Sequence, residues 1–308
     1  MNRRGVFDAL ATGAAGVMIS GAVDSRQVRA SEPSGNVKHA SPFISARDGT
    51  KLFVQDWGAG RPVIFLAAWA CDSCIWGSHM AALNAKGMRC VAPDRRGHGR
   101  SEVAMKGYDL DTLTDDLAMV MEERDLREAI LVAHSMGSIE AVNYLARNGA
   151  NRVSRLVLVA PTTPLLLQSP DNPDGVPLSA IENGATAIAA DFPKWLADNT
   201  APFFMPETPA ETHTWVKAMM LRVPLPVALA CQKTISTADL RAQARMIRCP
   251  TLIVQGDRDA SAPLALTGVK TAKLIPSSTL EVYEGAPHGL VLTHKDRLLK
   301  DLLNFVGT

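Results

Sequence analysis

The stretch Ala133-His134-Ser135-Met136-Gly137 constrains this chain most, because it stands between the apolar run Ala129-Ile130-Leu131-Val132 and a helix-like segment beginning Ser138-Ile139-Glu140. Strand, tight turn, serine and helix in that order lift a serine hydroxyl clear of the backbone. The turn is so sharp that small residues must flank the serine two positions before and two positions after. Ala133 and Gly137 meet that demand. Alanine in place of the more usual glycine at the first position adds one methyl group against the neighbouring helix.

The rest of the chain supplies a sheet to carry such a turn. Short apolar runs rich in β-branched residues alternate with longer helical patterns, which predicts a mostly parallel sheet with helices on both faces. Strands are expected at 50–57 as an outer antiparallel strand, and at 62–66, 88–92, 129–133, 155–159, 251–254 and 280–283, the last closing the sheet. The alternation breaks between 160 and 246, where the chain turns rich in Pro, Met and aromatic residues. That segment reads as a helical cap, at about 161–246, inserted between two strands over the sheet edge where open α/β sheets bind ligands. Pro202-Phe203-Phe204-Met205, Trp195, Trp215, Met219 and Met220 would roof it, each read first as cap core.

A serine is a weak nucleophile at neutral pH and needs a base in hydrogen-bond reach and a carboxylate to orient that base. Gln255-Gly256-Asp257-Arg258-Asp259 follows the strand at 251–254, and Gly285-Ala286-Pro287-His288-Gly289 follows the last strand. Ser135, Asp259 and His288 then run in the chain order serine, acid, histidine. Asp259 is preferred to Asp257, which is read as a loop cap. His39, His79, His98, His134, His213 and His294 are assigned surface or structural roles, with the His134 side chain expected to point away from the serine. Backbone N–H groups of Met136 and of Trp69, in Ala67-Ala68-Trp69-Ala70, are the expected donors to an oxyanion.

At 308 residues, 47% hydrophobic and with a net charge of +1, the chain has the composition of a globular enzyme with a large core and no electrostatic bias toward nucleic acid. Five cysteines show no Cys/His zinc spacing, so no metal is expected. Asn2-Arg3-Arg4-Gly5-Val6-Phe7, a weakly apolar run from Ala9 to Val23 and Val28-Arg29-Ala30 resemble a twin-arginine export signal over 1–30, followed by a linker over 31–42 and the folded domain over 43–308. The run is too short and too rich in Gly and Ala to span a bilayer, so no membrane partner is expected. Periplasmic or secreted placement follows, or cytoplasmic if the signal is not used. Cys71 and Cys74 read as loop fillers that an oxidising compartment could join.

With these pieces in place the sequence resembles the cofactor-free bacterial haloperoxidase and arylesterase group of the α/β-hydrolases, also called perhydrolases. The likeness runs from about residue 42 to the C-terminus. It is carried by Ala92-Pro93-Asp94-Arg95-Arg96-Gly97-His98-Gly99-Arg100-Ser101, the serine turn, Ala160-Pro161 through Asn172-Pro173-Asp174-Gly175-Val176-Pro177, and the His288 loop. The resemblance implies a Ser135, His288, Asp259 triad with neither metal nor organic cofactor, and a homo-oligomer. It departs at Ala67-Ala68, where the family usually has His-Gly before the tryptophan. That change restricts the backbone, removes a side-chain hydrogen bond, and could displace the oxyanion donor.

Three functions are consistent with these residues. The first is a serine hydrolase of a small or medium carboxylic ester or lactone with an apolar acyl or aryl part. The second keeps the triad but uses hydrogen peroxide as acyl acceptor, making a peracid that oxidises halide. The third is a ligand-binding protein on a hydrolase scaffold. The same triad also serves amidases, γ-lactamases and C–C hydrolases.

Overall fold

Residues 41–149 and 151–307 are described by the computed structural model. The expectations for residues 1–40, export signal and most of the linker, lie outside the described residues. Among the described residues eight strands form one sheet: β1 (Phe43–Ser45), β2 (Lys51–Trp57), β3 (Pro62–Leu66), β4 (Arg89–Pro93), β5 (Ala129–His134), β6 (Val153–Val159), β7 (Thr251–Gly256) and β8 (Ser278–Tyr283). Their spatial order is β1-β2-β4-β3-β5-β6-β7-β8. The β1–β2 and β2–β4 pairs are antiparallel and every pair from β4 to β8 is parallel.

The strand expected at 50–57 is not the outer one. β1 pairs beyond it, and Leu52 to Gln55 are buried in succession rather than alternately. β3 and β5 are wholly buried, as strands covered on both faces must be. Between β3 and β6 lie α1 (Gly77–Asn84), α2 (Leu110–Glu123) and α3 (Met136–Asn148). α2 opens on Asp109, whose carboxylate accepts from the Thr112 N–H and so caps the helix.

The segment between β6 and β7 holds α4 (Leu178–Ala190), α5 (Phe192–Asn199), α6 (Ala210–Leu221), α7 (Leu225–Thr237) and α8 (Arg241–Ala244). Proline starts several of them: Pro177 precedes α4, Pro209 precedes α6, and Pro224 lies where α6 gives way to α7 at a 97° bend. After β7 the chain forms α9 (Gly268–Leu274), and after β8 it forms α10 (Leu290–Thr293) and α11 (Lys295–Gly307). Cys71, Cys74, Cys90, Cys231 and Cys249 are all free thiols, and burial pushes the Cys71 thiol up to about 12.

Candidate active site

The parallel strands place the serine and histidine loops at one end of the sheet. Ser135 follows β5 directly and has φ 52° and ψ −114°, a conformation rare for any residue bearing a side chain. The surroundings hold it there. Its N–H donates to the Val159 carbonyl at 3.0 Å, and its carbonyl accepts from the Ser138 and Thr162 hydroxyls. A Cβ on Gly137 would lie 2.7 Å from Leu66 Cβ and 2.9 Å from Leu66 O, so the close approach of α3 to β3 excludes any larger residue.

His288 Nε2 lies 2.8 Å from Ser135 Oγ, and His288 Nδ1 lies 2.7 Å from Asp259 Oδ2. The carboxylate accepts the Nδ1 proton, which leaves Nε2 free to accept from the serine hydroxyl. All three residues are 5% exposed. Asp259 is fixed further by the Ser261 and Ala262 N–H groups on Oδ1, at 3.0 and 2.7 Å, and by Gln255 Nε2 on Oδ2 at 3.0 Å. Asp257 instead accepts from the Gly285 N–H at 2.7 Å, tying the acidic loop to the histidine loop.

His134 packs against the histidine loop. Its ring is fully buried 5.2 Å from the His288 ring, with Nε2–H donating to the His288 carbonyl at 3.1 Å. The strand residue before a turn this tight faces the layer beneath the histidine loop, so sequence adjacency concealed a spatial one. Burial, chiefly, and the nearby His288 push its pKa down to about 3, so the ring stays neutral.

Ala68 and Trp69 line one cavity with Ser135 and His288, and Met136 is the first residue of α3, where helix N–H groups have no intrahelical acceptor. The left-handed residue of the Ala67–Ala70 loop is Ala70, at φ 56°, and neither Ala67 nor Ala68 has positive φ. Replacing His-Gly by Ala-Ala therefore imposes no strain at those two positions. An interaction the sequence did not reveal holds the loop from below. Arg95 donates to the Ala67 carbonyl at 2.8 Å and the Ala68 carbonyl at 3.3 Å, while its Nε binds Glu140 at 2.5 Å. Both side chains of that ion pair are about 5% exposed, and burial raises the Glu140 pKa.

The cavity above the serine has a volume of about 220 Å³. Trp195, Phe203 and Met220 from the expected roof line it, whereas Phe204 and Met219 are buried in the cap and Trp215 is 41% exposed. Leu166, Gln232, Ile235 and Ser236 also line it and had no signal in the sequence. The cap is tied to the site twice: Gly289 N–H donates to the Phe203 carbonyl at 3.0 Å, and Trp69 Nε1 donates to the Ala228 carbonyl at 2.9 Å. Among the described residues no three His, Cys, Asp or Glu side chains converge as metal ligands.

A family model described as alpha/beta hydrolase fold matches residues 61–295. The chain is 36% identical over 278 residues to a non-heme chloroperoxidase of Kitasatospora aureofaciens, covering 86% of this chain and 99% of that protein. It is 32% identical over 276 residues to a bifunctional esterase/perhydrolase of Acinetobacter calcoaceticus, with 86% and 99% covered. Among solved structures, a bromoperoxidase from Bacillus anthracis superposes with a TM-score of 0.83 at 29% identity, covering 86% of this chain and 100% of that one.

Proposed function

Since the chain belongs to the alpha/beta hydrolase fold family, in its haloperoxidase and esterase group, we propose that it is a serine hydrolase of small or medium carboxylic esters or lactones. One observation carries this reading: the unbroken hydrogen-bonded line Asp259, His288, Ser135 in a mostly apolar cavity. Ser135 Oγ attacks the carbonyl carbon as its proton passes to His288 Nε2, and the Met136 and Trp69 N–H groups receive the oxyanion. Collapse expels the alcohol, or opens the lactone, with the proton returned by His288. A water molecule, deprotonated by His288, then releases the acid and restores the serine. Asp259 holds the histidine in the Nδ1–H tautomer throughout.

The names of the relatives favour a second reading equally. Hydrogen peroxide in place of water attacks the same acyl-enzyme and leaves as a peracid, which then oxidises halide. The two readings share Ser135 and differ only in the acceptor. Fluorophosphonate labelling of Ser135, with hydrolysis of p-nitrophenyl esters lost in Ser135→Ala, tests the shared chemistry. Bromination in acetate and hydrogen peroxide tests the second. An unlabelled, inactive wild type would remove both readings and leave a binding protein on the hydrolase scaffold.

A further inference from the structure

The walls of the cavity differ in how their polar groups are used. Three are already engaged: Thr162 Oγ1 donates to the Ser135 carbonyl, Asn199 Nδ2 to the Trp195 carbonyl, and Trp69 Nε1 to the Ala228 carbonyl. Of the polar side chains that line the same cavity without a hydrogen-bond partner among the described residues, Thr200, Gln232, Ser236 and Ser261, two stand together on α7, Gln232 and Ser236, and Ser236 is only 8% exposed. A hydroxyl inside a helix can turn back onto the carbonyl four residues earlier, as Thr237 does to Lys233. Ser236 does not, which leaves its hydroxyl for whatever fills the cavity.

Helical geometry fixes where this pair stands. Residues 228, 232 and 236 are spaced by four, so they share one face of α7. Ala228 is the point at which the helix is bound to the Trp69 indole. Gln232 and Ser236 therefore follow that anchor by one and two turns, about 6 and 12 Å of axial rise. The facing walls, Leu166, Trp195 and Phe203, are apolar. An all-hydrocarbon acyl group filling such a cavity would leave the buried Ser236 hydroxyl without a partner and displace water from the half-buried Gln232 amide.

The geometry points to a substrate whose acyl part carries its own hydrogen-bonding oxygen, a keto or hydroxyl group distal to the scissile carbonyl, received by Gln232 and Ser236. This specificity assignment rests on the hydrolase reading above. Gln232 offers both a donor and an acceptor and Ser236 one hydroxyl, so the pair suits a carbonyl or an alcohol better than a charged carboxylate, for which the cavity lining supplies no cation.

The test compares methyl levulinate with methyl valerate, esters of equal chain length that differ by one keto oxygen, each normalised to its alkaline hydrolysis rate. The wild type is expected to favour levulinate by about tenfold in kcat/KM, the effect of one to two neutral hydrogen bonds. Gln232→Leu with Ser236→Ala should bring that ratio near one, and Gln232→Glu, which keeps shape but presents a carboxylate, should bring it below the wild-type value. The ratio is internal to one preparation, so a partly folded variant does not distort it. Turnover of both esters with a wild-type ratio near one, or a ratio unmoved by the variants, overturns the assignment and leaves the hydrolase reading intact. No turnover of either ester, with Ser135 unreactive to fluorophosphonate, overturns both.

Discussion

His134 donates its Nε2 proton to the backbone carbonyl of His288 at 3.1 Å, so the residue before the serine supports the residue that would take the serine's proton. With Nε2 protonated, the buried Nδ1 has no partner among the described residues, and protonating it would place a charge in a fully buried position, and beside His288. The depressed pKa, about 3, follows from that. His134 is thus a neutral strut for the histidine loop through the whole working range of pH. His134→Phe removes the strut's hydrogen bond and keeps its bulk. We expect kcat to fall about tenfold, the scale of one to one and a half kcal/mol, with KM little changed. The acid limb of the wild-type pH–rate profile should have unit slope over the range in which the protein stays folded, since His134 adds no second proton there; a slope of two within that range would contradict its neutrality.

Arg95 and Glu140 make a second support, beneath the loop that carries Trp69. Removing the arginine leaves a buried carboxylate alone and frees two carbonyls, a change that in buried pairs costs about 3–5 kcal/mol. Arg95→Leu should therefore lower the urea midpoint sharply. Glu140→Gln keeps a hydrogen-bond acceptor and the two carbonyl bonds but leaves the buried guanidinium without a counter-charge, so its stability loss should lie at the low end of that range, about 3 kcal/mol. If the pair positions the loop, ester turnover in Glu140→Gln should fall in kcat more than it rises in KM. Equal turnover beside an unchanged urea midpoint would show that the loop stands without it.

Much of this site could be read from the sequence because each element of the chemistry sits at a strand end, and strand ends are marked by abrupt changes from β-branched apolar residues to Gly, Asp and Pro. Ser135, Asp259 and His288, which the fold brings within hydrogen-bond reach, are legible in that way. The features that escaped have no such local mark. β1 is three residues long, too short for alternation to declare itself. The orientation of His134 depends on the loop packed above it, 154 residues away. Arg95 stands in a recognisable motif, but its partner Glu140 is a single acid buried in α3 with nothing in its neighbours to mark it. Gln232 and Ser236 share a helix face whose direction is set by the Trp69–Ala228 hydrogen bond, which no periodicity encodes.

Acid should unfold this protein early. His79, His98 and His134 are 0–2% exposed, and burial lowers their pKa values to about 4, about 3 and about 3. In the unfolded chain each titrates near 6.5. Between those values the unfolded state binds more protons, so the stability contributed by burying neutral rings is complete above pH 6.5 and is lost as pH falls toward 3 or 4. At pH 5 each ring accounts for about 2 kcal/mol of lost stability. His79→Phe should flatten the dependence of unfolding free energy on pH between 6.5 and 4.5 by about 1 kcal/mol per pH unit on average. An unchanged slope in that variant would mean that His79 is protonated in the folded protein.

Asp259 gives the sharpest test of the proposed mechanism, because its two oxygens have separate tasks. Oδ1 accepts two backbone N–H groups and holds the loop, whereas Oδ2 faces His288 Nδ1 and Gln255 Nε2. In Asp259→Asn the amide oxygen can keep the backbone bonds, so the loop should persist. The amide nitrogen then faces His288 Nδ1 and donates to it, which forces the proton onto Nε2 and removes the acceptor for Ser135 Oγ. We expect kcat to fall about ten-thousandfold with a thermal midpoint within a few degrees of wild type. Ser135→Ala should lose at least as much and also lose fluorophosphonate labelling. If Asp259→Asn instead kept wild-type kcat, Asp259 would be a loop cap only, and the orienting carboxylate would have to be sought elsewhere.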